Sequence, residues 1–311
     1  MKIIRIIFVF ALMTSAAFAQ DDTIRVATNL VTLNVSVSDN KGKAAGGLKQ
    51  SDFSLTDNGR SKKLAMFSDA GAAVSYGIVY DLHPTTDDQT RSVLAALKEF
   101  TGRLRRDDDF FVTVFNEKGS LTTEFVPTDE QISRQVDAGA NSLFDAVYAA
   151  SDRLTKARNN KRVILVLTDG ADHNSQHSYK ELKSRLRSVN MPVYAITFSG
   201  SDRRLFGYSD IFGASRHETI RDEEANGLDR AAIAELSKTS GGVTYDGNMR
   251  NQVYLAALCS MVSDEVNGQY VIGFYPDELD GKYHTLKVTV VGQKENKLKV
   301  SSRAGYQSPK K

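Results

Sequence analysis

Val163-Ile164-Leu165-Val166-Leu167-Thr168-Asp169-Gly170-Ala171-Asp172 is the stretch that decides the fold. The apolar run Val163 to Leu167 predicts a buried strand of a parallel sheet. It closes on a hydroxyl and an acid, Thr168 and Asp169, followed by a turn glycine, Gly170. Open α/β sheets bind ligands beyond the carboxyl ends of their strands, so Asp169 stands where chemistry or metal binding would occur. Val74 to Tyr80 is a second such strand and ends the same way, in Asp81. Two acids closing two strands predict one shared site.

Outward from these strands, helical and strand patterns alternate. Helices are predicted over 87–104, 129–136, 142–156, 178–189, 229–238 and 251–266, with strands over 110–115, 121–126, 162–168, 192–198 and 242–245. On 87–104 the stripe is Val93, Leu94, Leu97 and Phe100; on 142–156 it is Leu143, Ala146, Val147, Ala150 and Leu154. Strands alternating with helices imply βαβ units: an α/β fold, doubly wound, with a mainly parallel sheet and helices on both faces.

Both flanks read differently. Val31, Leu33, Val35 and Val37 alternate with polar residues, the period of a half-buried antiparallel strand. Residues 53–55 and 64–67 are expected to pair as a hairpin across Asp57-Asn58-Gly59. Beyond the last helix, Gln269 to Tyr275 predicts a strand, and 283–291 with 297–301 a second hairpin. The organisation read from this is a β segment at 20–70, an α/β domain at 71–267, and a β segment at 268–306. The two β segments are expected to pack together as a small sandwich-like all-β unit. Residues 200–228 form an irregular insertion, and 307–311 read as a tail without regular structure.

The first 19 residues read as a secretory signal peptide. Lys2 and Arg5 supply its basic start, residues 6–13 its apolar core, and Ala17-Phe18-Ala19 its cleavage site. The expected location is therefore periplasmic or extracellular, and no later stretch is long and apolar enough to predict a membrane span. Of 40 basic residues, Lys2 and Arg5 leave with the leader, so 38 basic face 38 acidic ones. That balance argues against nucleic acid as a partner. The cluster Arg103, Arg105 and Arg106, answered by Asp107, Asp108 and Asp109, reads as a solvated helix end. Cys259 is the single cysteine and reads as a buried thiol beside Leu255, Leu258 and Met261.

Four marks carry a resemblance to a known family. They are Gly47-Leu48 leading to Asp52-Phe53; Leu143-Phe144-Asp145-Ala146; Leu167-Thr168-Asp169-Gly170-x-Asp172; and Gln269-Tyr270 leading to Gly273-Phe274-Tyr275-Pro276. In this order the chain resembles proteins with a von Willebrand factor A domain, and within them the secreted bacterial "VWFA-related" proteins. The resemblance implies a metal-ion-dependent adhesion site, where acids and hydroxyls from three loops hold Mg²⁺ or Mn²⁺ and a partner's carboxylate completes the shell. Carried over residue by residue, its metal ligands are Asp81, Thr85, Ser142 and Asp169. The chain departs from the pattern at His83, where a serine is expected, and at Asn141, which competes with Ser142 for the threonine position. An imidazole is a poor ligand for a hard ion.

The reading that follows is a non-enzymatic adhesion or scaffold module that engages a protein partner through these loops, with a degenerate metal site. Two alternatives stand beside it: a metal-assisted hydrolase using Asp81 and Asp169, and a structural envelope component with an inert site. No Gly-x-Ser-x-Gly, His-Glu-x-x-His or phosphate-loop motif supports the hydrolase. His173 and His177 lack an evident third zinc ligand, and His217 and His284 read as surface residues.

Overall fold

The computed structural model describes residues 30–41, 43–82, 86–135, 142–172, 175–198, 230–292 and 298–310. The chain runs through β1 (Val31–Asp39), β2 (Phe53–Asp57), β3 (Arg60–Lys62) and β4 (Met66–Ser68) before the α/β layer. That layer comprises β5 (Val74–Asp81), α1 (Asp87–Gly102), β6 (Asp109–Asn116), β7 (Gly119–Thr123), α2 (Asp129–Gln135), α3 (Leu143–Thr155) and β8 (Lys161–Thr168). It continues with α4 (Tyr179–Ser188), β9 (Val193–Phe198), α5 (230–240), β10 (Thr244–Gly247) and α6 (Gln252–Asn267). Four strands follow: β11 (Gln269–Phe274), β12 (Tyr283–Val290), β13 (Leu298–Ser302) and β14 (Gly305–Gln307).

Six strands form the central sheet, in the order β10-β9-β8-β5-β6-β7. The first five are mutually parallel, with Tyr80 opposite Leu167 where β5 meets β8. Only β7 turns back, antiparallel to β6. β5 is buried along its whole length, as a continuous apolar run requires when both faces are covered. Tyr76, Ile78 and Tyr80 share one core with Val93, Leu97 and Phe100 of α1 and Leu255, Cys259 and Val262 of α6. Val79 and, on β8, Ile164 and Val166 meet the stripes of α3, α4 and α5 on the opposite face. Gly77 lets α3 come close: a Cβ there would lie 2.9 Å from Phe111 and 3.0 Å from Leu154. Helix α1 starts at a reciprocal cap in which Gln89 N donates to Thr86 Oγ1 and Thr86 N to Gln89 Oε1. Burial pushes the Cys259 thiol up to about 12, so it stays protonated among its apolar neighbours.

The flanking segments fold into two four-stranded sheets, β13-β1-β11-β4 and β14-β12-β2-β3, that enclose a third core. Each sheet mixes strands from both ends of the chain: β1 pairs with β11 and β13, and β2 with β12, all antiparallel. Two of the motifs singled out in the sequence meet here. Tyr270 Oη donates to Ala45 O at 2.8 Å and accepts from Leu48 N at 3.1 Å, while its ring lies 5.1 Å from that of Phe53. Arg303 fastens this unit to the α/β layer. Its guanidinium donates to Thr32 O of β1 and to Arg187 O in the last turn of α4, each at 2.6 Å.

Several local expectations are corrected. The first hairpin joins β2 to β3 across Asn58 and Gly59, whose φ values of 48° and 80° suit a two-residue turn. Met66–Ser68 instead pairs with β11 in the other sheet. The second expected hairpin does not form: β12 joins β2 and β14, whereas β13 joins β1. The tail is built in, with Ser308 buried and Lys310 bridged to Asp280. Arg105 is no solvated end; it holds Asp108 and donates to Gly71 O and Ala72 O. His284 is buried, not on the surface. The signal peptide and the insertion 200–228 lie outside the described residues.

Candidate functional site

Parallel strands deliver their carboxyl ends to one edge of the sheet, and the candidate acids follow from that. Asp81 is the last residue of β5, and Asp169 follows the last residue of β8, its neighbour. Between them stands Thr168. Its Oγ1 donates to Asp81 Oδ2 at 2.9 Å and accepts from Gly170 N at 3.0 Å, so one hydroxyl relays a backbone N–H to the carboxylate of the next strand. Asp169 Oδ1 accepts from Ala171 N at 3.0 Å, closing a local turn. Gly170 takes φ 94°, and α5 approaches so closely that a Cβ there would sit 3.0 Å from Arg230 N. A side chain would be strained on both counts.

Ser142 occupies the N-cap position of α3, but its side chain does not cap the helix. The donors of that first turn are taken by the loop after β8 instead. Phe144 N donates to Asp172 Oδ1 at 3.0 Å and Asp145 N to Ser175 Oγ at 3.2 Å. The exchange is reciprocal, because Asp145 accepts Gln176 N at 2.8 Å and His177 N at 2.9 Å. His177 Nδ1 lies 2.6 Å from Asp145 Oδ1, and its ring stacks on Tyr148 at 3.8 Å. Burial would raise the Asp145 carboxyl, but the N–H groups of Gln176 and His177 and the imidazole outweigh it and hold it below its ordinary value. A negative charge in the first turn also suits the helix dipole.

The described residues thus bring Asp81, Ser142 and Asp169 to a common edge. They do not display them. Asp81 is 0 % exposed, Ser142 1 % and Asp169 7 %, so these side chains are turned away from solvent. The remaining candidates, His83, Thr85 and Asn141, lie outside the described residues, as does His173. Sequence reasoning missed the lacing between α3 and the loop 169–178. Its signal was Ser178-x-x-Glu181, a capping box that fixes the start of α4 and confines His177 to the loop before it.

A five-stranded parallel run, acids at its carboxyl edge and helices on both faces agree with a family match. Residues 83–225 match the family model of the "von Willebrand factor type A domain". The chain contains a von Willebrand factor type A domain. Such domains are commonly protein-binding modules, typically non-catalytic, and often bind a divalent metal at their adhesion site. No protein of curated function matches the chain. Among solved structures, the chain is similar to an aerotolerance-related membrane protein from Bacteroides fragilis, at 14 % identity and TM-score 0.40, over 63 % of this chain and 99 % of that one. It is also similar to BatB from Bacteroides thetaiotaomicron, at 14 % and 0.36, over 61 % and 99 %. A third is the PilB minor pilin from Streptococcus sanguinis, at 10 % and 0.36, over 67 % and 64 %. No helix among the described residues is long and apolar enough to cross a membrane.

Proposed function

We propose that the protein is an exported adhesion or scaffold module whose von Willebrand factor A domain engages a protein partner through the loops at the carboxyl edge of its sheet. The observation that carries this is the convergence of three segments on one edge: the end of β5, the start of α3, and the loop after β8. Export rests on Lys2, Arg5, the apolar run and Ala17-Phe18-Ala19.

Asp81, Ser142 and Asp169 offer oxygen donors alone, the chemistry that Mg²⁺ and Mn²⁺ take, and Thr85 would add a second hydroxyl. The ion, when bound, supplies an open coordination position for a partner's carboxylate. The chain's own part is to hold Asp81 against Thr168 and to keep the edge dry. Against ready access stands the burial of both acids, which favours a second reading: Asp81 and Asp169 tie the strand ends together and partners bind the rim without metal.

Calorimetric titration with Mg²⁺ and Mn²⁺ separates the two. Saturable binding that disappears in Asp169→Ala supports the metal-dependent module. Silence in the wild type, or binding that survives the substitution, overturns it in favour of the metal-free rim.

A further inference from the structure

We propose that Glu278, Asp280 and His284, in the β unit remote from the candidate adhesion site, form a zinc site oriented by a buried Asp57–Tyr306 pair. His284 is the second residue of β12 and shares the inward phase of Leu286, Val288 and Val290. Its Nδ1 lies 2.9 Å from Asp57 Oδ1, and the other oxygen of Asp57 accepts from Tyr306 Oη at 3.1 Å. All three side chains are buried. An ionised carboxylate only accepts, so Nδ1 carries the proton toward Asp57, and ring position and tautomer are both fixed.

That leaves Nε2 as the outward donor atom, and it faces Asp280 Oδ1 at 3.2 Å. In the metal-free chain Nε2 shares a proton with that carboxylate, and an ion bound there would take the proton's place. Glu278 completes the group, with one ligand atom from each of the three residues lying within 4.8 Å of the others. Asp280 is fixed by Lys282 N and by the bridge to Lys310, and the backbone of Glu278 by Ser308 Oγ, which donates to its carbonyl at 2.7 Å. The site is therefore assembled on a held loop, not on a free one.

One imidazole nitrogen and two carboxylate oxygens, with room for water, are ligand types that Zn²⁺ accepts. A carboxylate behind the ligating histidine is the usual supporting arrangement. A cavity of about 80 Å³ adjoins the group, bordered by Glu278 and His284 and also by Arg60 and Lys62, and has room for a water. Hard Mg²⁺ and Ca²⁺ suit the imidazole poorly. Two cations pair with the ligands themselves in the metal-free chain, Arg60 with Glu278 at 2.8 Å and Lys282 with Asp280 at 3.9 Å, while Lys62 pairs with Asp277. Arg60 and Glu278 are 71 % and 50 % exposed, so releasing that pair to a metal costs little.

The test is titration of the chelator-treated full chain with Zn²⁺ by calorimetry, and with Co²⁺ as a visible-absorption probe. We expect one equivalent to bind, Co²⁺ to give the absorption of a low-coordinate ion, and Zn²⁺ but not Mg²⁺ to raise the melting temperature through this site. Glu278→Gln and Asp280→Asn change partly exposed side chains and should fold, yet each should weaken Zn²⁺ binding at least about tenfold. Tyr306→Phe should weaken it by roughly 10- to 100-fold through Asp57. Asp81→Asn combined with Asp169→Asn should leave zinc binding unchanged, which keeps this site separate from the carboxyl edge. Failure of the wild type to bind one equivalent, or binding indifferent to Asp280→Asn and Glu278→Gln, overturns the proposal.

Discussion

The carboxyl edge of the central sheet and the buried corner around Asp57 both remove a strand-end aspartate from water, by opposite means. Asp81 accepts a hydroxyl that in turn accepts a backbone N–H, both from the adjacent strand and its turn. Asp57 is met by an imidazole and a phenol that lie 227 and 249 residues further along the chain. Here the hydroxyl and the N–H come from the adjacent strand and its turn, whereas the imidazole and the phenol come from the other end of the chain. The edge therefore tolerates local redesign, whereas the corner depends on the whole β unit being closed.

The largest test of that contrast is His284→Leu. It leaves Asp57 buried with the phenol alone, and removing one partner of a buried pair costs ~3–5 kcal/mol. Urea unfolding of the metal-free protein reads this directly. Thr168→Val, nearly isosteric, takes a hydrogen-bond donor from buried Asp81 and an acceptor from Gly170, and should cost about 1–3 kcal/mol on the same curve. If it cost more than His284→Leu, the distinction between the two regions would collapse. Gly170→Ala forces a side chain into a left-handed position against Arg230 and should cost roughly 1–2 kcal/mol, detectable by thermal unfolding.

The smallest effect concerns pH. Asp145 is held below its ordinary value near 3.8, so the stability it contributes is present above that value and is lost as pH falls through the lowered one. Asp145→Asn should therefore flatten the acid limb of the stability profile, as circular dichroism across acid pH will show. A limb of unchanged steepness would mean that the lacing of α3 to the loop 169–178 carries no linkage to pH.

Much of the α/β layer was legible because its signals are local. A continuous apolar run such as Val163 to Leu167 has one economical reading, and helix starts are written in caps such as Thr86-x-x-Gln89. The flanks were legible only by halves. A period of two assigns each residue to a face but does not name the strand it will pair with, which is why 297–301 was matched to its sequence neighbour and not to β1. His284 had a readable signal, since it falls in the apolar phase of β12, and a polar residue in that phase needs a buried partner. Which partner could not be read, because Asp57 is distant in sequence. Asp81 and Asp169 were placed on the correct edge by strand direction alone, but their depth depends on packing that strand direction does not encode.

The interleaving of β1 and β2 with β11, β12 and β13 also dictates an order of events during synthesis. Val31 waits for Phe274 and Val35 for Ser302, so β1, the first strand made, is among the last to find its neighbours. Such long closures are slow, and until they occur the early strands offer bare hydrogen-bonding edges to any other chain nearby. A ribosome stalled ahead of Gln269 would thus release a nascent protein prone to aggregate and to be cut by proteases.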